Sequence, residues 1–245
     1  MESKQTITLK ISIIIPVLNE ASTIGDLLTY LIENSGPFIQ EIIIVDGEST
    51  DETQKIVEDF IINSSSVENN IKLVNSPKGR ARQMNIGANE AKAEILYFLH
   101  ADSYPPKNYD ELIVHEFKKG FLAGCFRMKF DSNHPILKLS QWFTRFNFKS
   151  CRGGDQSLFI TKCVFANLDG FDEKYIVYED CEFINRIYST TAFKVIPKTL
   201  ITSARRYDLN GAWKLQYHFA IIHFKKWLGA SAESLHKYYL KNIVS

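Results

Sequence analysis

The sequence predicts an α/β protein: a doubly wound, mostly parallel sheet flanked by helices, closed by a C-terminal helical tail. Three observations carry this. Apolar runs rich in β-branched residues recur between residues 11 and 99, a segment of helical period separates each from the next, and polar residues gather directly after each run. A strand that is apolar without alternation is buried on both faces, as in a parallel sheet covered by helices. Strand and helix alternating at this spacing give right-handed βαβ units.

Ile11 to Val17 reads as the first buried strand. Ile24, Leu27, Leu28, Leu31 and Ile32 share one helical face behind it, with Ser22 as the expected N-cap. Glu41 to Val45 is the second strand, and Ser49 with Glu52 fits a capping box opening a helix through Ile56, Val57, Phe60 and Ile61. The polar stretch NSSSVENN reads as a surface loop. Ile71 to Val74 is a third strand, Arg80 to Ala91 a third helix and Glu94 to Leu99 a fourth strand. Beyond position 100 the rhythm changes: 105–119 and 179–190 read as helices, 121–130 and 157–161 as strands. No Gly-, Pro- or Ser-rich linker and no repeat interrupts the chain, so the second half is expected to extend the same sheet.

Composition narrows the class. At 245 residues with 45% hydrophobic and 23% charged side chains, the chain can bury a core of its own and is not disordered. A net charge of +1 argues against a nucleic-acid binder working by broad phosphate neutralisation. That total hides an asymmetry: residues 1–204 carry −4, and residues 205–245 carry +5 with eight aromatics on two expected helices split near Gly229. The four cysteines form no C-x-x-C pair and read as reduced thiols. MESKQTITLK lacks the apolar run of a signal peptide and no window nears the ~20 apolar residues of a membrane span, so a cytoplasmic protein is expected and the sequon Asn63-Ser64-Ser65 carries no glycan.

In an open parallel sheet, ligands bind beyond the carboxyl ends of the strands. The segments there are Pro16-Val17-Leu18-Asn19-Glu20, Asp46-Gly47-Glu48-Ser49, Ser76 to Arg82 and His100-Ala101-Asp102. Asp46 can accept from an imide or amide edge, Arg80 or Arg82 can pair with phosphate or stack on a base, and Asp102 is a hard oxygen ligand for Mg²⁺ or Mn²⁺. His218 and His223, five apart, miss the one-face spacing of a metal pair.

In order, ISIIIPVLNE, IIIVDGESTDET, GRARQMNIGANEA, ILYFLHADS, GGDQSLFI and VYEDCEF resemble the motif series of inverting family 2 glycosyltransferases with the GT-A fold, over roughly residues 10–205. HAD together with SARRYDLNGAW and WLGAS is similar to the bacterial radical-SAM/selenodomain-associated glycosyltransferases, some linked to arsenosugar biosynthesis. The resemblance implies one catalytic domain over 1–204, with 1–102 binding nucleotide and 103–204 binding acceptor, and 205–245 as a tail. It puts Pro16, Asn19, Glu20, Ala101 and Arg80 or Arg82 beside the nucleotide and Asp46 on the base, uracil or another. It puts Asp102 on the metal, Gly154, Asp155 and Gln156 at the acceptor, and Asp180 as catalytic base with Glu179 as its rival. Two departures stand out: His100 replaces the first Asp of the metal motif, and Gly47-Glu48 replaces a common Asp-Gly. His100 is either a metal ligand or a hydrogen-bonded strand-end residue. Arg205 and Arg206 either bind diphosphate or edge the cleft.

The expected activity is metal-assisted transfer of a sugar from a UDP- or GDP-sugar to an acceptor hydroxyl. A single base on the acceptor side implies inversion, because retention through a covalent intermediate needs a nucleophile on the opposite face. The rivals are a sugar nucleotidyltransferase, which PVLNEAS does not suit, and a non-catalytic nucleotide-sugar binder. For the basic aromatic tail, core capping leads, with an anionic membrane surface, a lipid-linked acceptor or a homodimer contact as the alternatives.

Overall fold

A computed structural model describes residues 9–63 and 70–244. The chain runs β1 (Ile11–Val17), α1 (Ile24–Asn34), β2 (Ile39–Asp46), α2 (Thr53–Asn63), β3 (Asn70–Asn75), α3 (Arg80–Glu90), β4 (Ile95–Phe98), β5 (Ser103–Tyr104), α4 (Tyr109–Lys118) and β6 (Ala123–Phe130). It continues through α5 (Pro135–Phe143), β7 (Leu158–Thr161), α6 (Lys162–Asn167), α7 (Glu179–Thr190), β8 (Phe193–Thr202), α8 (Arg205–Asn210), α9 (Ala212–Trp227) and α10 (Ala232–Tyr239). The described strands form one sheet in the order β3-β2-β1-β4-β7-β6-β8-β5. β1 pairs in parallel with β2 and β4, β2 with β3, and β6 with β8, while β7 runs antiparallel to β4 and β6. The second half thus extends the first sheet, as expected.

Local chemistry accounts for the differences from the sequence reading. α1 has Thr23, not Ser22, as its N-cap residue, and the Thr23 hydroxyl turns back to Glu20. The anticipated capping box at α2 does not form: Ser49 Oγ accepts from the Asn19 N–H at 2.9 Å, and Asp51 Oδ1 takes the Thr53 N–H at 3.0 Å. Pro105-Pro106 delays α4 to Tyr109. α5 and α6 had no sequence expectation, and the tail holds three α-helices followed by a π-helical turn at Leu240–Val244 rather than two helices. The sequon serines and most of NSSSVENN lie outside the described residues.

Two polar contacts tie the parallel strands. Glu41 on β2 is fully buried; it accepts from Ser12 Oγ at 2.7 Å and the Lys92 N–H at 2.6 Å, and pairs with Lys72 Nζ at 2.7 Å. Ser12 in turn accepts from the Ala93 N–H at 3.1 Å, so one carboxylate joins β1, β2, β3 and the approach to β4. Gln83 on α3 donates from Nε2 to the carbonyls of Val17 and Val45, both at 2.8 Å, fixing where β1 and β2 part. α3 lies close enough to the sheet that a Cβ on Gly87 would come within 2.5 Å of Ile14 Cγ2.

Burial raises the proton affinity of Glu41, but Lys72, the Lys92 amide and Ser12 outweigh it and leave its pKa lowered. Its stabilising contribution is therefore present above the ordinary carboxylate range and is lost as pH falls through the lowered native value. Glu41→Gln is expected to cost about 2–3 kcal/mol in urea unfolding at neutral pH, with the gap from wild type closing on acidification. An equal gap at pH 7 and in acid would mean that packing, not charge, sets the cost.

Candidate active site

The ends of β1 and β4, the N-termini of α3 and α7, the 3₁₀ turn Gly154–Gln156 and the segment after β8 converge on a cleft of about 890 Å³. Of the residues singled out by sequence, Pro16, Glu20, Arg80, His100, Ala101, Asp102, Asp155, Gln156, Glu179, Asp180, Arg205 and Arg206 line it. Asn19, Asp46 and Arg82 are not in its wall. Arg82 instead pairs with Glu173 at 3.1 Å on the surface. Asn19, at φ 56°, accepts the Thr50 N–H at 2.8 Å and shapes the turn after β1. Asp46, at the end of β2, is 1% exposed; its Oδ2 accepts from the Ser49 N–H and Gln54 Nε2, and its buried Oδ1 has no partner.

Carboxylates dominate the far wall. Arg80 Nη1 lies 3.1 Å from Glu179 Oε1 and 3.9 Å from Asp180 Oδ2, so the residue expected near the nucleotide spans to the first turn of α7. Glu179 is committed to that ion pair. Asp180 makes no comparably close pair; burial and then the Glu179 charge push its carboxyl well above the usual range, with Arg80 opposing. His100 points at these groups: Nδ1 stands 3.8 Å from Asp155 and Nε2 3.9 Å from Asp180. Burial and the Arg80 charge depress its pKa to about 3, so the ring is neutral. Asp155 is raised by burial against the pull of Arg80 and Arg206. Tyr178, before Glu179, takes φ 77°, costly for an aromatic residue, and stacks its ring edge-on to His223 at 5.0 Å.

Asp102 lies across the site. β5 pairs with β8 at Ser103–Thr202, and the Asp102 carbonyl accepts the Ser203 N–H at 3.1 Å, which brings Asp102 beside Arg205. Its carboxyl is pushed up to about 6 by burial, then by Asp155 and Glu20, with Arg205 opposing. Among the described residues no three His, Cys, Asp or Glu side chains converge as a metal cage. A single cleft-lining carboxylate, Asp102, nonetheless fits a divalent cation of the kind that takes one or two carboxylates and completes its shell with substrate phosphates.

Sequence reasoning missed Arg152. It is 3% exposed and donates to Gln156 Oε1 at 2.7 Å, to Cys125 Sγ and to the Thr144 and Phe146 carbonyls. Gln156, its Nε2 also spent on the Cys151 carbonyl, thus braces the loop that carries Asp155. An Arg next to Gly-Gly-Asp-Gln was the available signal. Arg205 pairs with Glu20 at 3.0 Å, and Arg206 donates to the Tyr239 hydroxyl and lies over the Phe219 ring.

The architecture is that of glycosyltransferase structures. TarS 1–349 of S. aureus in complex with UDP superposes with a TM-score of 0.66 at 20% identity, over 80% of this chain and 60% of that one. The mannosyltransferase PcManGT of Pyrobaculum calidifontis, in complex with GDP-Man and Mn²⁺, gives 0.70 at 18% identity over 94% and 69%. GalNAc-T7 with UDP, GalNAc and Mn²⁺ gives 0.63 at 17% identity over 80% and 44%. No curated protein sequence matches the chain. The model of glycosyl transferase family 2 matches residues 12–194, and the chain belongs to that family.

Proposed function

We propose that the chain is an inverting, metal-assisted hexosyltransferase that moves a sugar from a uridine or guanosine diphosphate sugar to an acceptor hydroxyl. The observation that carries this reading is Asp180: a cleft-lining carboxyl of raised proton affinity, left without a close ion pair while its neighbour Glu179 engages Arg80. Family membership and the nucleotides bound by TarS and PcManGT support the donor class. The HAD and SARRYDLNGAW segments support the narrower kinship with radical-SAM/selenodomain-associated transferases. In this reading residues 1–102 serve the nucleotide and 103–204 the acceptor, within one catalytic domain.

The unpartnered Asp46 Oδ1 accepts an imide or amide N–H of the base, which a buried acceptor requires. Arg205 and Arg206 pair with diphosphate oxygens, Arg205 exchanging its Glu20 contact for them. Asp102 would hold a divalent cation, which would supply positive charge to offset that growing on the departing nucleoside diphosphate. Asp180 takes the proton of the acceptor hydroxyl as that oxygen attacks the anomeric carbon. The bond from that carbon to the phosphate oxygen breaks, and its electron pair leaves with the diphosphate. Asp155 and neutral His100 orient the acceptor beside Asp180.

Asp180→Asn is expected to lower kcat by about 10²–10⁴-fold while thermal stabilisation by UDP- or GDP-sugars persists. Because the base works ionised and its pKa is raised, kcat/KM should climb with pH through a midpoint above the ordinary carboxylate range; Arg80→Met, which removes the opposing cation, should move that midpoint further up. A midpoint at about 4 would exclude Asp180 as the base. Tight donor binding without turnover, indifferent to Asp180→Asn, would identify a non-catalytic binder instead.

Two further substitutions separate the donor contacts. Asp102→Ala should abolish stimulation by Mn²⁺ or Mg²⁺ in a donor-turnover assay, and stimulation that survives would remove Asp102 from the metal. Asp46→Asn should raise the donor KM by about tenfold with kcat little changed. A fall in kcat at unchanged KM would place Asp46 outside base recognition.

A further inference from the structure

We infer that the outer faces of α5 and α9 form a docking surface for an anionic lipid bilayer, with the cleft opening at its edge. On α9, Trp213, Tyr217, Ala220, Phe224 and Trp227 follow one another at intervals of four, three, four and three, which puts them on one helical face. That face is bare: Trp213 is 64%, Tyr217 62%, Phe224 54% and Trp227 79% exposed. The opposite face, with Leu215 and Ile222, is buried in the core, so α9 caps the core and still leaves a complete aromatic stripe outside. α5 repeats the arrangement, with Leu137 buried and Leu139, Trp142 and Phe143 exposed. The two helices pack together, and the Trp213 ring meets His134 at the start of α5 at 5.9 Å.

Charge selects the occupant. The chain has no acidic residue between Asp131 and Asp155 or between Asp208 and Glu233, and these two stretches contain all of α5 and α9. In the same stretches stand Lys138, Arg145, Lys149, Lys214, Lys225 and Lys226. Exposed Trp, Tyr and Phe beside unopposed Lys and Arg match the interfacial region of an anionic membrane, where aromatic rings sit at headgroup depth and cations meet the negative surface potential. A second copy of the chain would set these positive faces against each other, since a two-fold contact pairs like with like. The surface is continuous with the cleft: Phe143 of α5, Leu209 of α8 and Ala220 of α9 belong to the cleft wall. No helix among the described residues is long and apolar enough to cross a membrane, so the contact is peripheral.

The test uses the full chain and sedimentation with phosphatidylcholine vesicles, with and without phosphatidylglycerol. Binding is expected only to the anionic vesicles, with a blue shift of Trp fluorescence and weakening at high salt. Trp213→Ser with Trp227→Ser, and separately Lys138→Glu with Lys214→Glu, should each reduce the bound fraction by about tenfold or more while melting temperature stays near wild type. None of these residues belongs to the proposed donor or base contacts, so a failed transferase assay leaves this result standing and the reverse holds too. The inference is overturned by absence of binding to anionic vesicles, by equal binding to neutral ones, or by a solution dimer that the Trp substitutions dissociate while vesicle binding is unchanged.

Discussion

The site depends on one guanidinium. Arg80, from the first turn of α3, faces Glu179 at 3.1 Å and Asp180 at 3.9 Å, and its charge also acts on Asp155 and His100. Three carboxylates gathered in one cleft wall, Asp155, Glu179 and Asp180, repel one another, and without a cation the least costly state protonates some of them. Arg80 engages them unequally: it holds Glu179 in a hydrogen-bonded pair at 3.1 Å and stands 3.9 Å from Asp180, whose carboxyl keeps a high proton affinity. Burial, reinforced by the same charge, keeps His100 neutral and thus able to accept a hydrogen bond as well as donate one.

That arrangement needs the two halves of the sheet held in register. Arg80 belongs to α3, and α3 is locked to the parallel strands by Gln83 bridging the Val17 and Val45 carbonyls and by the close approach at Gly87. Glu179 and Asp180 begin α7, in the half where β7 turns antiparallel between β4 and β6. β5, only two residues long, pairs with β8 and so brings Asp102 against the Arg205 segment. Short irregular elements therefore position the chemistry, while the long strands supply the rigid frame that makes their placement reproducible.

The parallel half was legible in the sequence because buried parallel strands are continuous apolar runs, and ISIIIPV and EIIIV are short, β-branched and bounded by polar or turn residues. The second half was less so. α5 spans only 9 residues, too few for its period to stand out, and β8 alternates only weakly around Pro197. Among the candidate residues, strand-end position pointed to His100 and Asp102, which line the cleft, and to Asp46, which is buried outside its wall. It could not divide Arg80 from Arg82: two positions apart on a helix means nearly opposite faces, and only the packing of α3 decides that one meets Glu179 and the other Glu173. Gln156 was legible as a candidate cleft residue but not as a brace, because the neighbouring Arg152 in the sequence does not show that its side chain turns inward to Gln156.

Charge distribution joins these observations. Near-neutrality overall conceals a body of −4 and a tail of +5. Four of the body's acids, Asp102, Asp155, Glu179 and Asp180, line one cleft, where burial first, with like-charge repulsion added at Asp102 and Asp180, raises their proton affinity. The tail's cations are spread along helices whose inner faces cap the core, and they cannot neutralise those acids except through Arg205 and Arg206, the two that turn inward to the cleft. Had Lys214, Lys225 or Lys226 been placed inside, they would have paired with the carboxylates and lowered their proton affinity. Holding them outside, beside exposed aromatic rings, preserves the acidic cleft and leaves the positive charge for whatever meets the outer surface.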